Sequence, residues 1–262
     1  MTADPVVVEV GDVLTETLDR VLVITINRPS VRNAVNTSVA HGIGSALDRL
    51  DADESLSAGV LAGAGPSFCA GMDLKAFLAG ERPTVPGRGF AGLVERSSDK
   101  PLIAAVDGAA VAGGFEIVLA CDLVVASRAA SFGLPEVKRG LVAAGGGLLR
   151  LPQRIPYQLA MELALTGDRI DAVRGAELGL VNRLTEPGQA RQVAVELAAS
   201  ISRNGPLALR ATKQILRQAR DWPTDEFFGR QAALTEPVRS SADAKEGARA
   251  FKERRDPVWS GR

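Results

Sequence analysis

The stretch Leu102-Ile103-Ala104-Ala105-Val106-Asp107-Gly108, running on through Ala109-Ala110-Val111-Ala112 into Gly113-Gly114-Phe115-Glu116-Ile117-Val118-Leu119-Ala120, decides the fold. Its first five residues form a short apolar strand. Asp107-Gly108 breaks that run, and Gly113-Gly114 opens a second apolar stretch long enough for a helix. Strand character resumes over residues 123–126. Strand, turn, helix and strand in that order predict an α/β architecture with parallel pairing.

Working outward, residues 6–10 and 21–27 are rich in β-branched residues and read as strands. Arg28-Pro29 closes the second, because proline has no amide hydrogen to offer a neighbouring strand. A helix follows over residues 37–50 with Asn36 as its N-cap, then a strand over 59–63 that leads into Gly65-Pro66. Between residues 79 and 100, Gly80, Pro83, Pro86, Gly87 and Gly89 interrupt any period; a flexible flap and a plain surface connection both fit. A helical stretch over 156–178 is punctuated by Gly167, Gly175 and Gly179. From about residue 188 the pattern is purely helical, with segments near 188–203, 206–219, 224–238 and 242–254 separated by Gly205-Pro206, Trp222-Pro223 and Glu236-Pro237. The expected organisation is an α/β core over 1–195 and a helical region over 196–262.

Composition narrows the function. With 31 basic and 31 acidic residues the chain has no surplus charge to neutralise nucleic-acid phosphates, so it is not expected to bind nucleic acid. No apolar run reaches the roughly 18 residues that span a bilayer, and Met1 to Val10 lacks a charged-then-apolar leader pattern. Cys69 and Cys121 are too few for a disulfide framework or a metal cluster and read as buried free thiols in a cytoplasmic protein. The single histidine, His41, falls on a helix-surface position, which removes His-based triads and His-rich metal sites. Chemistry must then come from carboxylates and backbone donors.

Three segments can supply them. In Ala112-Gly113-Gly114-Phe115-Glu116 the glycines allow close backbone approach, and the first amides of the helix have no partner within it. The helix dipole adds partial positive charge there, which suits an oxygen gaining negative charge. Phe68-Cys69-Ala70-Gly71-Met72-Asp73-Leu74-Lys75 offers a second tight turn, and Phe132-Gly133-Leu134-Pro135-Glu136 a second carboxylate. Each has a plainer explanation alone: strand packing for the glycines, a dipole partner or exposed position for each glutamate. Together they suggest acid/base chemistry beside an oxyanion site.

As an ordered set these segments resemble the crotonase superfamily, most closely enoyl-CoA hydratases. Ile26-Asn27-Arg28-Pro29, Asp107-Gly108, Ala120-Cys121-Asp122-Leu123, Leu165-Thr166-Gly167-Asp168-Arg169-Ile170 and Arg249-Ala250-Phe251 extend the likeness over nearly the whole chain. The resemblance implies a spiral of ββα turns with a helical C-terminal region that assembles a homotrimer or a dimer of trimers. It places the oxyanion hole on the amides of Ala70 and Gly113, lines the adjoining turn with Gly71, Met72 and Asp73, and makes Glu116 and Glu136 the catalytic pair. Arg28 and Lys75 would meet the CoA end of the ligand, with Phe251 and Arg254 reaching it from a neighbouring subunit. The implied reaction is reversible hydration of a trans-2-enoyl-CoA to a 3-hydroxyacyl-CoA without metal or redox cofactor, coenzyme A being part of the substrate. Where hydratases often carry Pro-Gly-Ala-Gly-Gly, this chain has Val142-Ala143-Ala144-Gly145-Gly146-Gly147, and Leu134-Pro135-Glu136-Val137-Lys138-Arg139-Gly140 also resembles carnitinyl-CoA dehydratases. The alternatives are therefore that dehydratase activity, enoyl-CoA isomerisation, and plain acyl-CoA binding.

Overall fold

The computed structural model describes residues 7–262. An antiparallel meander starts it: β1 (Val7–Val10), β2 (Val13–Leu18) and β3 (Val21–Ile26). Val6, expected to open the first strand, lies outside the described residues. The middle strand had no counterpart in the sequence reading, because its Thr-Glu-Thr centre carries no apolar run and only Val13 and Thr15 are buried. Helix α1 (Thr37–Ala52) follows, its first turn capped by the Asn36 side chain accepting from the Val39 amide at 2.9 Å. Val39, Ile43, Leu47 and Leu50 recur at helical spacing and face the sheet, while His41 is exposed.

From here the chain spirals. Strand β4 (Ala58–Gly63) pairs parallel with β3, and the short α2 (Leu74–Leu78) follows. Residues 79–100, where a flap and a plain connection both fitted, carry the hairpin β5 (Thr84–Val85) and β6 (Gly89–Phe90). Then β7 (Leu102–Val106) joins the large sheet and β8 (Ala109–Val111) a small one, before α3 (Gly113–Ala120). The next cycle repeats the move: β9 (Leu123–Ser127) lies parallel to β7, and β10 (Ser131–Gly133) parallel to β8. Strand-in-one-sheet, strand-in-the-other and helical turn is the expected ββα cycle. It brings the starts of successive helical segments to one side.

Helices α4 (Gly147–Arg154) and α5 (Tyr157–Thr166) come next. The expected helix over 156–178 is interrupted: Gly167 caps α5 at φ +66°, β11 (Arg169–Asp171) pairs antiparallel with β10, and α6 (Ala172–Glu177) resumes. Local periodicity is blind to a three-residue strand whose partner lies about forty residues earlier. Strand β12 (Arg183–Thr185) completes the seven-stranded order β1-β2-β3-β4-β7-β9-β12.

One face of that sheet buries α1 and α3; the other buries α7 (Ala190–Ser202). Ala190, Ala194 and Ala198, each four apart and fully buried, let α7 lie close on Val23, Val60, Ile103 and Val125. The expected boundary after residue 195 therefore cuts through a helix that belongs to the core. The helical extension begins instead at α8 (Pro206–Gln218), followed by α9 (Phe227–Ser240) and α10 (Ala242–Glu253). Pro237, expected to separate segments, sits inside the last turns of α9 without ending it. Buried Lys213 ties α8 to the core, its Nζ reaching Asp122 Oδ2 at 2.6 Å and the Lys100 carbonyl at 2.7 Å. No residue of α9 is buried, and Leu216, Phe228 and Phe251 stand 72%, 84% and 89% exposed. Among the described residues no helix is long and apolar enough to cross a membrane.

Candidate active site

Helix α3 is buried along its whole length, including Glu116, which is 4% exposed. Its start is constrained. Ala112, the residue before it, is held at φ +52°, ψ −130°, a conformation that costs an alanine about 1–3 kcal/mol. The contacts that impose it are legible: the Ala112 amide donates to the Gly133 carbonyl at 2.9 Å, and Phe115 stacks on Phe132 with centroids 5.4 Å apart. A Cβ on Gly114 would fall 2.2 Å from the Cys69 carbonyl oxygen, so only glycine lets α3 approach that turn. Strand β8 thus locks the Cys69 segment, through the Cys69–Ala110 bridge, and β10 against one helix start.

Two backbone donors result. The Gly113 amide is the first of α3 and has no partner within the helix. The Ala70 amide, expected as the second donor, is instead engaged by the Arg32 carbonyl at 3.0 Å, so Ala70 offers no free hydrogen. On either side of Met72 the Gly71 amide leans on the Cys69 thiol at 3.4 Å and the Asp73 amide donates to the Val35 carbonyl at 2.9 Å. The Met72 amide donates to nothing among the described residues. The free donor of this turn is therefore two residues beyond the expected one. A turn pattern identifies the loop, but which of its amides points outward depends on the Val35–Met72 bridge, a long-range pairing. The two turns are packed together: a Cβ on Gly71 would lie 2.9 Å from Ala112 Cβ and 3.1 Å from the Gly113 nitrogen.

The carboxylates differ in setting. Glu116 Oε1 accepts from the Gly147 amide at 2.9 Å, and a Cβ on Gly145 would lie 2.6 Å from Oε2. Burial raises its pKa, against the amides of Gly147 and Gly145 and the positive charge of Arg150, which lower it. Arg150 on α4 donates to the Gly145 carbonyl at 3.3 Å and to the Val94 carbonyl, so it joins the 79–100 segment to the loop holding Glu116. Arg150 was absent from the sequence reading, because nothing local distinguishes it from a helix-surface arginine, and Gly147 figured there only in the loop that differs from other hydratases. Glu136 lies half-buried in the 3-10 turn Pro135–Arg139. Its Oε2 is buried with no hydrogen-bond partner among the described residues, and its pKa is raised by burial and by the charge of Glu116, against its own backbone amide and the charge of Arg139, which lower it. A buried oxygen without a partner marks a place where a ligand group belongs.

Arg28 donates to Asp73 Oδ2 at 3.0 Å and to the Ala34 carbonyl at 2.6 Å, and Asp73 Oδ1 caps α2 through the Lys75 and Ala76 amides. Arg28 and Asp73 thus brace the turn that holds Met72, and Asp73 sits below the ordinary carboxylate range despite burial because of those partners. Lys75 is exposed on α2. Phe251 and Arg254 are exposed at the end of α10, with the Phe251 ring almost free of its own chain. Cys69 and Cys121 are free and buried, and burial pushes both thiols up to about 12, so neither is a nucleophile near neutrality. An open cleft of about 470 Å³ lies behind the Glu136 turn, lined by Pro135, Lys138, Arg139, Gly167, Asp168 and Arg169. It holds neither carboxylate and neither free amide.

Two carboxylates whose pKa values are raised, and two unengaged amides on turns packed together, agree with the kinship of the chain. Residues 16–262 match the family model described as Enoyl-CoA hydratase/isomerase. The chain belongs to the enoyl-CoA hydratase/isomerase family. It is 43% identical over 262 residues to the enoyl-CoA hydratase EchA19 of Mycobacterium tuberculosis, covering 96% of this chain and 97% of that one. It is 41% identical over 251 residues to a carnitinyl-CoA dehydratase of Salmonella heidelberg, covering 92% and 95%. The crystal structure of an enoyl-CoA hydratase from Mycobacterium tuberculosis H37Rv superposes with a TM-score of 0.95 at 59% identity, over 96% of this chain and all of that one. For a member of the enoyl-CoA hydratase/isomerase family the expected spiral core is therefore shown.

Proposed function

We propose that this protein is an enoyl-CoA hydratase, a hydro-lyase that adds water to a trans-2-enoyl-CoA. The observation that carries the reading is the pair of carboxylates, Glu116 buried and Glu136 with a buried oxygen that has no partner among the described residues, together with two unengaged backbone amides on turns packed against each other. The thioester oxygen accepts from Met72 and Gly113, which stabilises the enolate formed when water attacks; each such donor contributes roughly 3 kcal/mol to the transition state. Glu116, with amides and Arg150 around it, is the better-supported anion and takes a proton from water. The hydroxide oxygen bonds to Cβ. Glu136, whose Oε2 has no partner among the described residues and whose pKa the charge of Glu116 raises further, is the proton carrier and protonates Cα. The pair then exchanges one proton to reset, so its titration belongs to both groups. These steps use carboxylates and amides alone, and coenzyme A enters as part of the substrate.

Similarity to the Salmonella carnitinyl-CoA dehydratases favours a second reading, the same chemistry run as dehydration on a substrate with a quaternary ammonium. Two side chains support assembly as a homotrimer or a dimer of trimers: Phe228 and Phe251, exposed on helices with little else to cover them. Arg28 and Lys75, with Phe251 and Arg254 of a neighbouring subunit, remain our proposed contacts for the CoA end. Two reduced, buried cysteines fit a cytoplasmic location.

The test follows loss of the conjugated enoyl-thioester absorbance with crotonyl-CoA. Rapid loss, abolished in Glu116→Gln and Glu136→Gln, is expected. No loss, with the CoA ester still bound, would overturn hydration of simple enoyl-CoA and turn attention to carnitinyl-CoA or to isomerisation.

A further inference from the structure

The ring of Phe90 lies against the start of α3, at Gly113. A Cβ on Gly113 would fall 2.6 Å from both Cε1 and Cζ of its ring, so the ring is in van der Waals contact with the backbone that donates to the thioester. Which part of a ligand lies on that side follows from α3. Gly113 and Glu116 are three apart on the helix and so share a face. Four residues past Phe90, the Val94 carbonyl is held by Arg150, whose charge faces Glu116. Phe90 therefore flanks the carboxylate side of the Gly113 amide. That side receives the acyl carbons; the sulfur and the pantetheine leave in the other direction.

The ring cannot easily move. Thr84 pairs with Phe90 and Val85 with Gly89, and the Ala91 amide donates to the Pro83 carbonyl at 2.9 Å. Arg88, its side chain 5% exposed, pairs with Asp48 on α1 and donates to the Arg96 carbonyl at 3.1 Å. Gly92 is pressed on α1 so closely that a Cβ would meet the Ala40 carbonyl oxygen at 2.3 Å. These contacts make residues 83–95 a fixed strap.

We propose that Phe90 is a specificity-determining residue whose ring closes the acyl pocket just beyond the reacting carbons and restricts the enzyme to short enoyl chains. This rests on the hydratase reading. The test measures kcat/KM of wild type, Phe90→Ala, Phe90→Leu and Phe90→Trp on crotonyl-, octenoyl- and dodecenoyl-CoA. Wild type is expected to fall steeply from crotonyl to dodecenoyl. Phe90→Ala should raise the dodecenoyl-to-crotonyl ratio by about tenfold or more, Phe90→Leu by less, and Phe90→Trp should depress octenoyl selectively. A ratio that stays constant across the variants, with all substrates losing rate alike, means that the ring only packs against α3 and overturns the proposal. So does a wild type equally fast on dodecenoyl-CoA. Should Phe90→Ala fail to fold, the Leu and Trp variants give the same decision. A wild type inert on all three esters would instead refute hydration itself, and the proposal with it.

Discussion

Glu116 and Glu136 are chemically identical and their neighbourhoods are not. Glu116 projects from a buried α-helix, with the Gly147 amide on Oε1 and Arg150 nearby. Glu136 projects from a single 3-10 turn, half-exposed, with Oε2 lacking any partner among the described residues. Both are pushed upward by burial; two loop amides and the charge of Arg150 oppose this at Glu116, while its own backbone amide and the charge of Arg139 oppose it at Glu136. Backbone placement, not residue type, sets these two environments, and under the proposed mechanism it divides anion from proton carrier.

The comparison breaks most readily at the carboxylates. Either Gln substitution should lower kcat on crotonyl-CoA by roughly 10²- to 10⁴-fold with modest change in KM. Unchanged turnover in one variant would leave its partner working alone. Next in size is Gly145→Ala, whose methyl would meet Glu116 Oε2 at 2.6 Å and displace it. A loss near 10²-fold is expected, the scale of an ångström of misplacement, and a rate near wild type would show that the loop yields instead.

Arg150→Met sharpens the contrast. Removing the cation takes away an influence that lowers the Glu116 pKa, so the acid limb of kcat/KM against pH should move to higher pH. Glu136, Arg139 and Arg150 are the charged groups felt by the pair, and only Arg150 changes. An acid limb that stays in place, despite slower turnover, would reduce Arg150 to holding the loop. Arg150→Lys, which keeps the charge, should retain the limb.

The smallest effect is on stability. A carboxyl whose folded pKa exceeds its unfolded value binds more protons folded than unfolded. Its stability contribution is present below the unfolded pKa and lost as pH rises through the folded one. At neutral pH Glu136 is therefore a net cost. Glu136→Gln should raise Tm by about 2–4 °C at neutral pH, and by less in mild acid where the wild-type group is already protonated. Scanning calorimetry at two pH values decides it; an unchanged or lowered Tm at neutral pH would deny that burial strains this group.

Legibility tracked locality. Apolar runs such as Leu102–Val106 and the Asn36 cap announce themselves within a few residues, so β3, β4, β7, β9 and α1 were readable, while the three-residue β12 was not. Arg169–Asp171 was not, since its pairing with β10 lies outside any local window. The oxyanion turn shows the same limit inside one motif: Gly71-Met72-Asp73 marked the loop, while the bridge to Val35 turned the Met72 amide outward and the Arg32 carbonyl took the Ala70 amide.

By itself the sequence determined the spiral core and the family, and singled out the two glutamates as candidates, because glycine turns, apolar strands and carboxylates leave their marks residue by residue. Only the tertiary structure decided which amide is free, which carboxylate has support, that residues 83–95 are a fixed strap, and that α7 belongs to the core. Each of those depends on a hydrogen bond or a steric contact between segments far apart in the chain, and such contacts exist only after the backbone has folded.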